Sequence, residues 1–579
     1  RGIAQRAFEH KFQLADHVHV RGARLDHGML TIELVREVPE AKDWVRIRFD
    51  GTRADYGPGY RPEPCGFHDG WIEYMERVFE MALKEDGAEG IMLDNFVLHP
   101  CVCDRCRTLF REHVRQSPRF TPEAMALPYL DYDQVEIPTT YNARNPLVRE
   151  YYRFRLDRTR EICKRLYDCF RSFNPDAIFM PNQTSIRTNK EMRMHQTVMD
   201  RRFVGLFDAL KDDGARYPVH GKGKYEGSMS RWKLARLTGY TLFTKAGLGG
   251  YRPDFDGDAT VEHMIWRMTA AALAFGGMPP AFNGLARDDR TGRGAVIGMD
   301  HACVAKGTAE AAGFAKRWDA LYRDVRPAAQ VILFRSPSSF DFAGVDACAA
   351  VDALTQQCYR DKVAYEFAFA EDLPDLPANT LLVVADMLCL SDGDVDAILA
   401  YHDRGGRVVV LGPSGWCDDD FCERTELTLA RLAETDADRV KWNRGGPVRG
   451  PRLFVEPSPP EGFSIRLAHP EFDAARREAV SLAELADVML DDGRELKAAG
   501  DEDVIVDAWT KKDGTYLLHL VNLSPSPKRV EDIRVHLQGL TSARFARDAA
   551  EDEIDVPTEG NNVAVPAFEH YGILMMSRS

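Results

Sequence analysis

No apolar run of about 18 residues occurs in the chain, so nothing in its 579 residues reads as a membrane-crossing helix. It opens on Arg1 rather than Met and shows no charged-then-apolar leader pattern. Basic residues are in deficit: 75 Lys and Arg face 90 Asp and Glu, a net charge of -15. They are scattered among acids and form no stripe, which argues for a solvated surface and against nucleic acid or an anionic membrane as partner. Internal repeats and low-complexity tracts are also missing. A chain of this length holds about three domains with sizeable cores.

What is present concentrates at residues 90 to 111, GIMLDNFVLHPCVCDRCRTLFR. Trp71, Ile72, Met75, Val78, Phe79 and Leu83 recur at helical spacing and lead into the apolar run Gly90-Ile91-Met92-Leu93. A helix feeding a fully apolar strand is the pattern of a parallel sheet covered on both faces. Such sheets carry their chemistry at the carboxyl ends of the strands, which is where Asp94 and Asn95 fall. Two readings of Asp94 stand: a catalytic carboxylate, or a cap that holds the next turn or neutralises an arginine.

Cys101, Cys103 and Cys106 form C-x-C-x-x-C, and Cys65 lies upstream in RPEPCGF. Four thiolates close a tetrahedral site with no position left for water, so the expectation is a structural Zn2+ and no organic cofactor. The alternative is buried free thiols, the expected state of the other eight of the twelve cysteines. A thiolate cluster implies a reducing compartment, the cytoplasm.

The segment GWIEYMERVFEMA through EGIMLDN and CVCDRC to TLFREHV resembles the fourth strand and following loop of family 42 β-galactosidases and related glycosidase-like barrels. In those galactosidases, the resemblance implies, the strand ends in Asp-Asn-Glu, with the Glu as acid/base and a zinc held by C-x-C-x-x-C and a distant fourth cysteine. Here the triplet is Asp94-Asn95-Phe96, so the acid/base Glu is missing. The likeness is then nearer to α-fucosidase-like barrels, where the strand-four aspartate resembles a nucleophile. Residues 43 to 330 carry the resemblance, most specifically in their first quarter.

Onward, residues 146 to 174 read as a long helix and 176 to 182 as the next strand, with Asn182 and Gln183 facing the site. Residues 203 to 210 read as a strand ending near Asp212 and Asp213, either of which supplies the second carboxylate that glycoside cleavage requires. Asp-Asp-Gly is equally a turn signal. Glu226 and Asn283 are further candidate sugar contacts, and Tyr240, Phe243, Tyr251 and Trp266 suit either ring stacking or the core. Strands at 239 to 247 and 276 to 284, with a helix over 264 to 275, continue the alternation. That makes about five parallel strands, where a closed barrel has about eight; the front is expected to be truncated.

Residues 1 to 42 alternate apolar and polar in two runs. Phe8, Phe12 and Leu14, with Ala23 and Gly28-Met29-Leu30, resemble the second half of the α-crystallin domain of bacterial small heat-shock proteins. The likeness stops near Ala41-Lys42, which suggests a hybrid reading frame; recruitment as ordinary barrel strands is the alternative.

Beyond residue 326, runs at 330 to 334, 381 to 384 and 407 to 412 read as buried parallel strands separated by helices at 345 to 361 and 392 to 404. The loop Gly412-Pro413-Ser414-Gly415 lacks nucleotide-binding spacing. This unit resembles the amidotransferase-like domain of family 42 enzymes, which implies subunit contacts in a dimer or trimer. Residues 441 to 500 read as a linker with a helix at 482 to 490. From 501 onward, strands at 504 to 509, 515 to 522 and 563 to 566 read as a β-sandwich.

The expectation is therefore an α/β chain: a small heat-shock-like segment (1-42), a (β/α)8-type barrel incomplete at its N-terminal side (43-325), an amidotransferase- or flavodoxin-like α/β domain (326-440), a linker (441-500) and a β-sandwich (501-579). Its expected function is hydrolysis of an oligo- or polysaccharide by two carboxylates. The alternatives are an inactive carbohydrate-binding or assembly protein and, from the N-terminal segment, a holdase.

Overall fold

A computed structural model of the chain describes residues 18–26, 29–36, 44–55, 62–94, 96, 98–140, 142–182, 201–212, 217–247, 258–278, 281–283, 286–287, 294–295, 302–412, 414–425, 429, 432, 440–441, 481–490, 493–548 and 550–579.

Among the described residues, five parallel strands run in sequence order through the first half. Gly90–Leu93 pairs with Ile178–Pro181, a bridge from Asn182 to Lys211 continues to Ala209–Asp212, and Thr241–Gly247 and Ala281–Asn283 follow. The count agrees with the number read from the sequence. Gly90 is needed at its position: a Cβ there would sit 2.7 Å from the Ile178 carbonyl oxygen.

Helices cover one face of this sheet. Helix Asp69–Glu80 begins at His68, whose side chain accepts from the Gly70 amide, and it buries Trp71, Ile72 and Phe79. Helix Pro146–Phe173 starts with Asn145 capping Leu147 and Pro at its first turn. Phe79, Phe170 and Phe179 meet with ring centroids 4.9 to 5.7 Å apart, so both helices grip the strand Ile178–Pro181 through one aromatic cluster.

The strand expected over 203 to 210 is shorter. Arg201–Phe203 is a 3-10 turn, Gly205 takes φ +82, and the strand proper is Ala209–Asp212. The cause is Asp208: its carboxylate accepts from the Phe179 amide at 2.8 Å and binds the Arg171 guanidinium, so it caps the strand start and prevents an earlier one.

A second parallel sheet has the order Tyr365–Ala368, Val331–Phe334, Leu381–Ala385, Arg407–Leu411, Val440–Lys441. The first of these strands escaped sequence reading because Tyr365-Glu366-Phe367 offers no long apolar run. Helices Gly344–Arg360 and Asp392–Asp403 lie where expected.

The C-terminal part stacks a six-stranded antiparallel sheet on a four-stranded one. The stretch expected as linker contributes more than a link. Helix Leu482–Met489 packs against Gly344–Arg360, and Leu496–Ala499 joins the four-stranded sheet beside Arg534–Leu537. Val325–Pro327, before the second parallel sheet, pairs with Val504–Lys511 in the six-stranded sheet. Near the N-terminus, Val18–Asp26 and Met29–Arg36 form an antiparallel hairpin, as the two alternating runs require.

A helix of the first half and two sheets meet at a buried cation. Lys233, fully buried on helix Met229–Leu237, donates to Glu366 Oε1 at 2.7 Å and to both Asp507 oxygens at 2.8 and 2.7 Å. Arg236, one turn on, pairs with Glu366 at 2.6 Å and lies over the Trp509 ring at 4.3 Å. Burial pushes the Asp507 carboxyl up against the pull of Lys233, whereas at Glu366 two cations outweigh burial and hold the carboxyl low. Lys233→Met would leave a pair of buried carboxylates sharing Arg236, and we expect a loss of about 3–5 kcal/mol. Urea denaturation of the two proteins measures it; a loss below about 1 kcal/mol would show that the contact is solvated.

Two buried histidines set an acid limit. Burial holds the imidazoles of His263 and His519 down to about 3. An unfolded chain takes up these protons near pH 6.5 while the folded one does not, so stability is full above that pH and is lost as pH falls toward 3. At pH 5 each costs about 2 kcal/mol, at about 1.4 kcal/mol per pH unit. Denaturation midpoints at pH 7 and 5 should reveal a loss about 2 kcal/mol smaller in His519→Gln than in wild type.

Candidate active site

Side-chain alternation sorts the parallel strands into two faces. Phe179, Leu210 and Leu242 are buried toward the helices, while Met92, Ile178 and Phe243 on the other face are 41, 55 and 37% exposed. The exposed face ends, at the carboxyl edge, in a row fixed by register. Asp94 follows Leu93, which pairs with Pro181; Asn182 follows Pro181 and bridges to Lys211; Lys211 pairs with Phe243.

Asn182 is the hinge of this row. Its backbone amide donates to the Leu93 carbonyl at 2.7 Å, its side chain is buried, and its Nδ2 donates to Asp94 Oδ1 at 2.6 Å. Asp94 is exposed beyond the strand end. An exposed carboxylate oriented by a buried amide at a strand terminus has the placement that proton transfer or nucleophilic attack requires. The sequence expectation has Asn182 and Gln183 facing the site; Asn182 lies beside Asp94.

The other candidates are placed as follows. Asp212 ends its strand with its backbone beside Thr244, and Asn283 ends the last strand beside Gly247. Asn95, Asp213, Gln183 and Tyr251 lie outside the described residues. Glu226 is exposed on the hairpin Val219–Gly221 and Lys224–Glu226, which is tied to Gln356, Glu502 and Leu523 through Tyr225 and His220. Tyr240 and Trp266 are core, leaving Phe243 as the exposed ring among the described aromatics proposed for stacking.

Phe96, standing where the galactosidases place Glu, is buried. Its ring stacks near Trp71 at 6.4 Å and meets Phe207 edge-on at 6.4 Å. Phe96 thus packs into the apolar core.

The same loop runs into the cysteines. All four Sγ atoms of Cys65, Cys101, Cys103 and Cys106 lie within 4.8 Å of one another, with Cys65 to Cys106 at 3.4 Å and Cys103 to Cys65 at 3.8 Å. Four sulfurs about 2.3 Å from a shared tetrahedral centre would be about 3.8 Å apart, so the set fits a metal ion. Amides of Ile47 and Cys103 donate to Cys101 Sγ at 3.3 and 3.4 Å, as outer-shell donors to a thiolate do. Hydrogen bonds led by Cys101 hold the Cys103 thiol well below the ordinary range and push Cys65 and Cys106 above it.

No protein-family model matches the chain. Among solved structures it superposes on the β-galactosidase from Bacillus circulans sp. alkalophilus with a TM-score of 0.63 at 15% identity, covering 92% of this chain and 86% of that one. Gan42B, a GH42 β-galactosidase from G. stearothermophilus, gives 0.63 at 14%, with 93 and 85% covered. The fold is shared with family 42 β-galactosidases. The α-L-fucosidase isoenzyme 2 from Paenibacillus thiaminolyticus follows at 0.57 and 13%, with the same coverage. At these identities the likeness is one of fold.

Curated sequences give a different match. The small heat shock protein HspD of Bradyrhizobium diazoefficiens is 53% identical over 55 residues, 10% of this chain and 36% of that protein. IbpA of Escherichia coli is 57% identical over 49 residues, 8% of this chain and 36% of that protein. The chain thus spans about a third of the length of the curated relatives it matches. Both resemblances drawn from the sequence are present: a glycosidase-like fold across most of the chain and a short heat-shock-like stretch.

Replacing one cysteine tests the cluster. Cys103→Ala should abolish stoichiometric metal in the purified chain, measured by plasma emission, and lower the melting temperature by several degrees, because the cluster ties residues 44–65 to the loop after Asp94. A metal-free wild-type chain with the same melting temperature as the variant would remove the site.

Proposed function

We propose that the chain is a glycoside hydrolase acting on an oligo- or polysaccharide, with Asp94 as one reacting carboxylate and Asp212 or Asp213 as the other. The observation that carries this is the Asn182–Asp94 hydrogen bond of 2.6 Å at the carboxyl edge of a family 42-like parallel sheet. Neighbours of this fold are named as β-galactosidases and an α-L-fucosidase, which supports cleavage of a glycosidic bond as the reaction class. Asp94 is the residue best placed to attack the anomeric carbon or to exchange a proton with the leaving oxygen. Asn182 donates to one of its oxygens and so orients the carboxylate. Asn95, Glu226 and Asn283 are the proposed hydroxyl contacts.

The supporting parts follow the same reading. The metal at the cysteines is Zn2+, held by Cys65, Cys101, Cys103 and Cys106, and it supplies rigidity to the loop after Asp94 and takes no part in bond cleavage. The chain divides into a barrel-like unit at 43-325, an α/β unit at 326-440 and a sandwich at 501-579, and the α/β unit serves a homo-oligomer. The protein works in the cytoplasm, where the thiols stay reduced. Among the described residues, no helix is long and apolar enough to cross a membrane.

A second reading is favoured by one observation. Phe96 fills the aromatic pocket between Trp71 and Phe207 and removes the acid/base of the galactosidase pattern. On that reading the chain binds carbohydrate, or assembles, without cleaving it.

Release of chromophore from a panel of aryl glycosides separates the two. Wild-type turnover that falls about 10²–10⁴-fold in Asp94→Asn supports the hydrolase. A folded, metal-loaded chain that binds sugars and cleaves none supports the second reading.

A further inference from the structure

Between the second parallel sheet and the two C-terminal sheets lies a cavity of about 20 Å³. Its walls are largely apolar: Val331 comes from the parallel sheet, Leu496 from the four-stranded sheet, and Val506 and Leu518 from the six-stranded one. Two cations also line it. Lys362 stands just before strand Tyr365–Ala368 and Arg494 just before Leu496–Ala499, and they are 4 and 8% exposed. The remaining polar side chain on the wall, Gln330, is engaged at both ends: its Oε1 accepts from the Glu495 amide at 2.7 Å and its Nε2 donates to the Asn379 carbonyl at 3.4 Å.

Both cations keep donors that no side chain takes up. Arg494 donates from Nε and Nη2 to Asp487 at 3.0 and 3.1 Å, while its buried Nη1 meets no acceptor among the described residues. Lys362 makes no ion pair or side-chain hydrogen bond among the described residues; Asp501, Asp361, Glu502 and Asp503 act on it through space alone. Asp501 and Asp503 are held instead by Lys528 at 2.8 and 2.9 Å, and Asp361 accepts from the Ser481 hydroxyl at 2.8 Å. Burial outweighs the four acids and holds the Lys362 ammonium below its ordinary range.

A water molecule in this setting needs acceptors for its own hydrogens, whereas lysine and arginine only donate. A small anion needs donors alone, and desolvated cations gain the most from one. Volume sets its size. Space of about 10–15 Å³ holds one water, so this cavity suits a halide and is too small for sulfate or phosphate. We propose that it is a halide site, with chloride held between Lys362 Nζ and Arg494 Nη1, and that the ion joins the second parallel sheet to the C-terminal sheets. Val506 precedes Asp507, so alternation places the ion on the opposite face of that strand from the Lys233 contact. The site is separate from Asp94 and does not depend on any reaction there.

The test is thermal melting of the full chain in sodium chloride, sodium bromide and sodium gluconate at equal ionic strength. Wild type is compared with Lys362→Met and with Lys512→Met, a control at a side chain 82% exposed. Chloride and bromide should raise the wild-type melting temperature by about 2–4 °C over gluconate, with a saturating dose dependence. Lys362→Met should lose that rise and Lys512→Met should keep it. No difference between chloride and gluconate in wild type, or the same response in both variants, overturns the proposal. Should Lys362→Met fail to fold, wild-type crystals soaked in bromide decide: an anomalous peak beside Lys362 Nζ and Arg494 Nη1 upholds the site, and its absence refutes it.

Discussion

A single buried ammonium holds the chain's three layers in relation to one another. Lys233 comes from the helix between the third and fourth parallel strands, Glu366 from the edge strand of the second parallel sheet, and Asp507 from the six-stranded sheet. Moving any one of these layers would leave uncompensated charge in a dry environment, a penalty of several kcal/mol. Apolar contact alone tolerates sliding; a lysine shared by two carboxylates does not. Arg236 and Trp509 extend the joint, and the Trp509 indole donates to the Ala274 carbonyl at 2.8 Å, at the end of the helix that precedes the fifth strand. The C-terminal sheet therefore fixes the elements around the fourth and fifth strands, whose carboxyl ends belong to the candidate site.

The site itself depends on register. Because alternation has a period of two, a slip of one residue between Gly90–Leu93 and Ile178–Pro181 would turn Asp94 or Asn182 to the wrong face. Gly90 excludes that slip, since only a residue without Cβ fits against the Ile178 carbonyl. At the other end of the same strand pair, the Asn182 amide closes onto Leu93. Steric exclusion at the start and a hydrogen bond at the end define one alignment, and that alignment brings the carboxylate and the amide together.

Much of this was legible in sequence, and the pattern of what was not is physical. Pro146–Phe173 and Asp69–Glu80 announced themselves through period and caps, and Val331–Phe334 and Leu381–Ala385 through unbroken apolar runs. The cysteines' spacing foretold their convergence. Tyr365–Ala368 was hidden because its glutamate is paid for by a lysine 133 residues earlier, a long-range pairing that no local window contains. The true start of Ala209–Asp212 was hidden because Asp208 is spoken for by Phe179 and Arg171. Asn182 was legible as the residue that closes its strand. Its hydrogen bond to Asp94 was not, because that requires the parallel register across 88 residues.

The loop from Asp94 to Cys106 shows how one departure from the galactosidase pattern constrains the chemistry. Its far end is pinned by the cysteine cluster and by Leu98, whose carbonyl accepts from the buried Arg155 and whose side chain packs on Gly66. Its middle is pinned by Phe96 between Trp71 and Phe207. A glutamate placed at position 96 would enter an aromatic pocket, where ionisation is disfavoured. On the hydrolase reading, the second carboxylate then comes from a different strand. That geometric restriction, more than the loss of one residue type, is what directs attention along the sheet to the end of Ala209–Asp212.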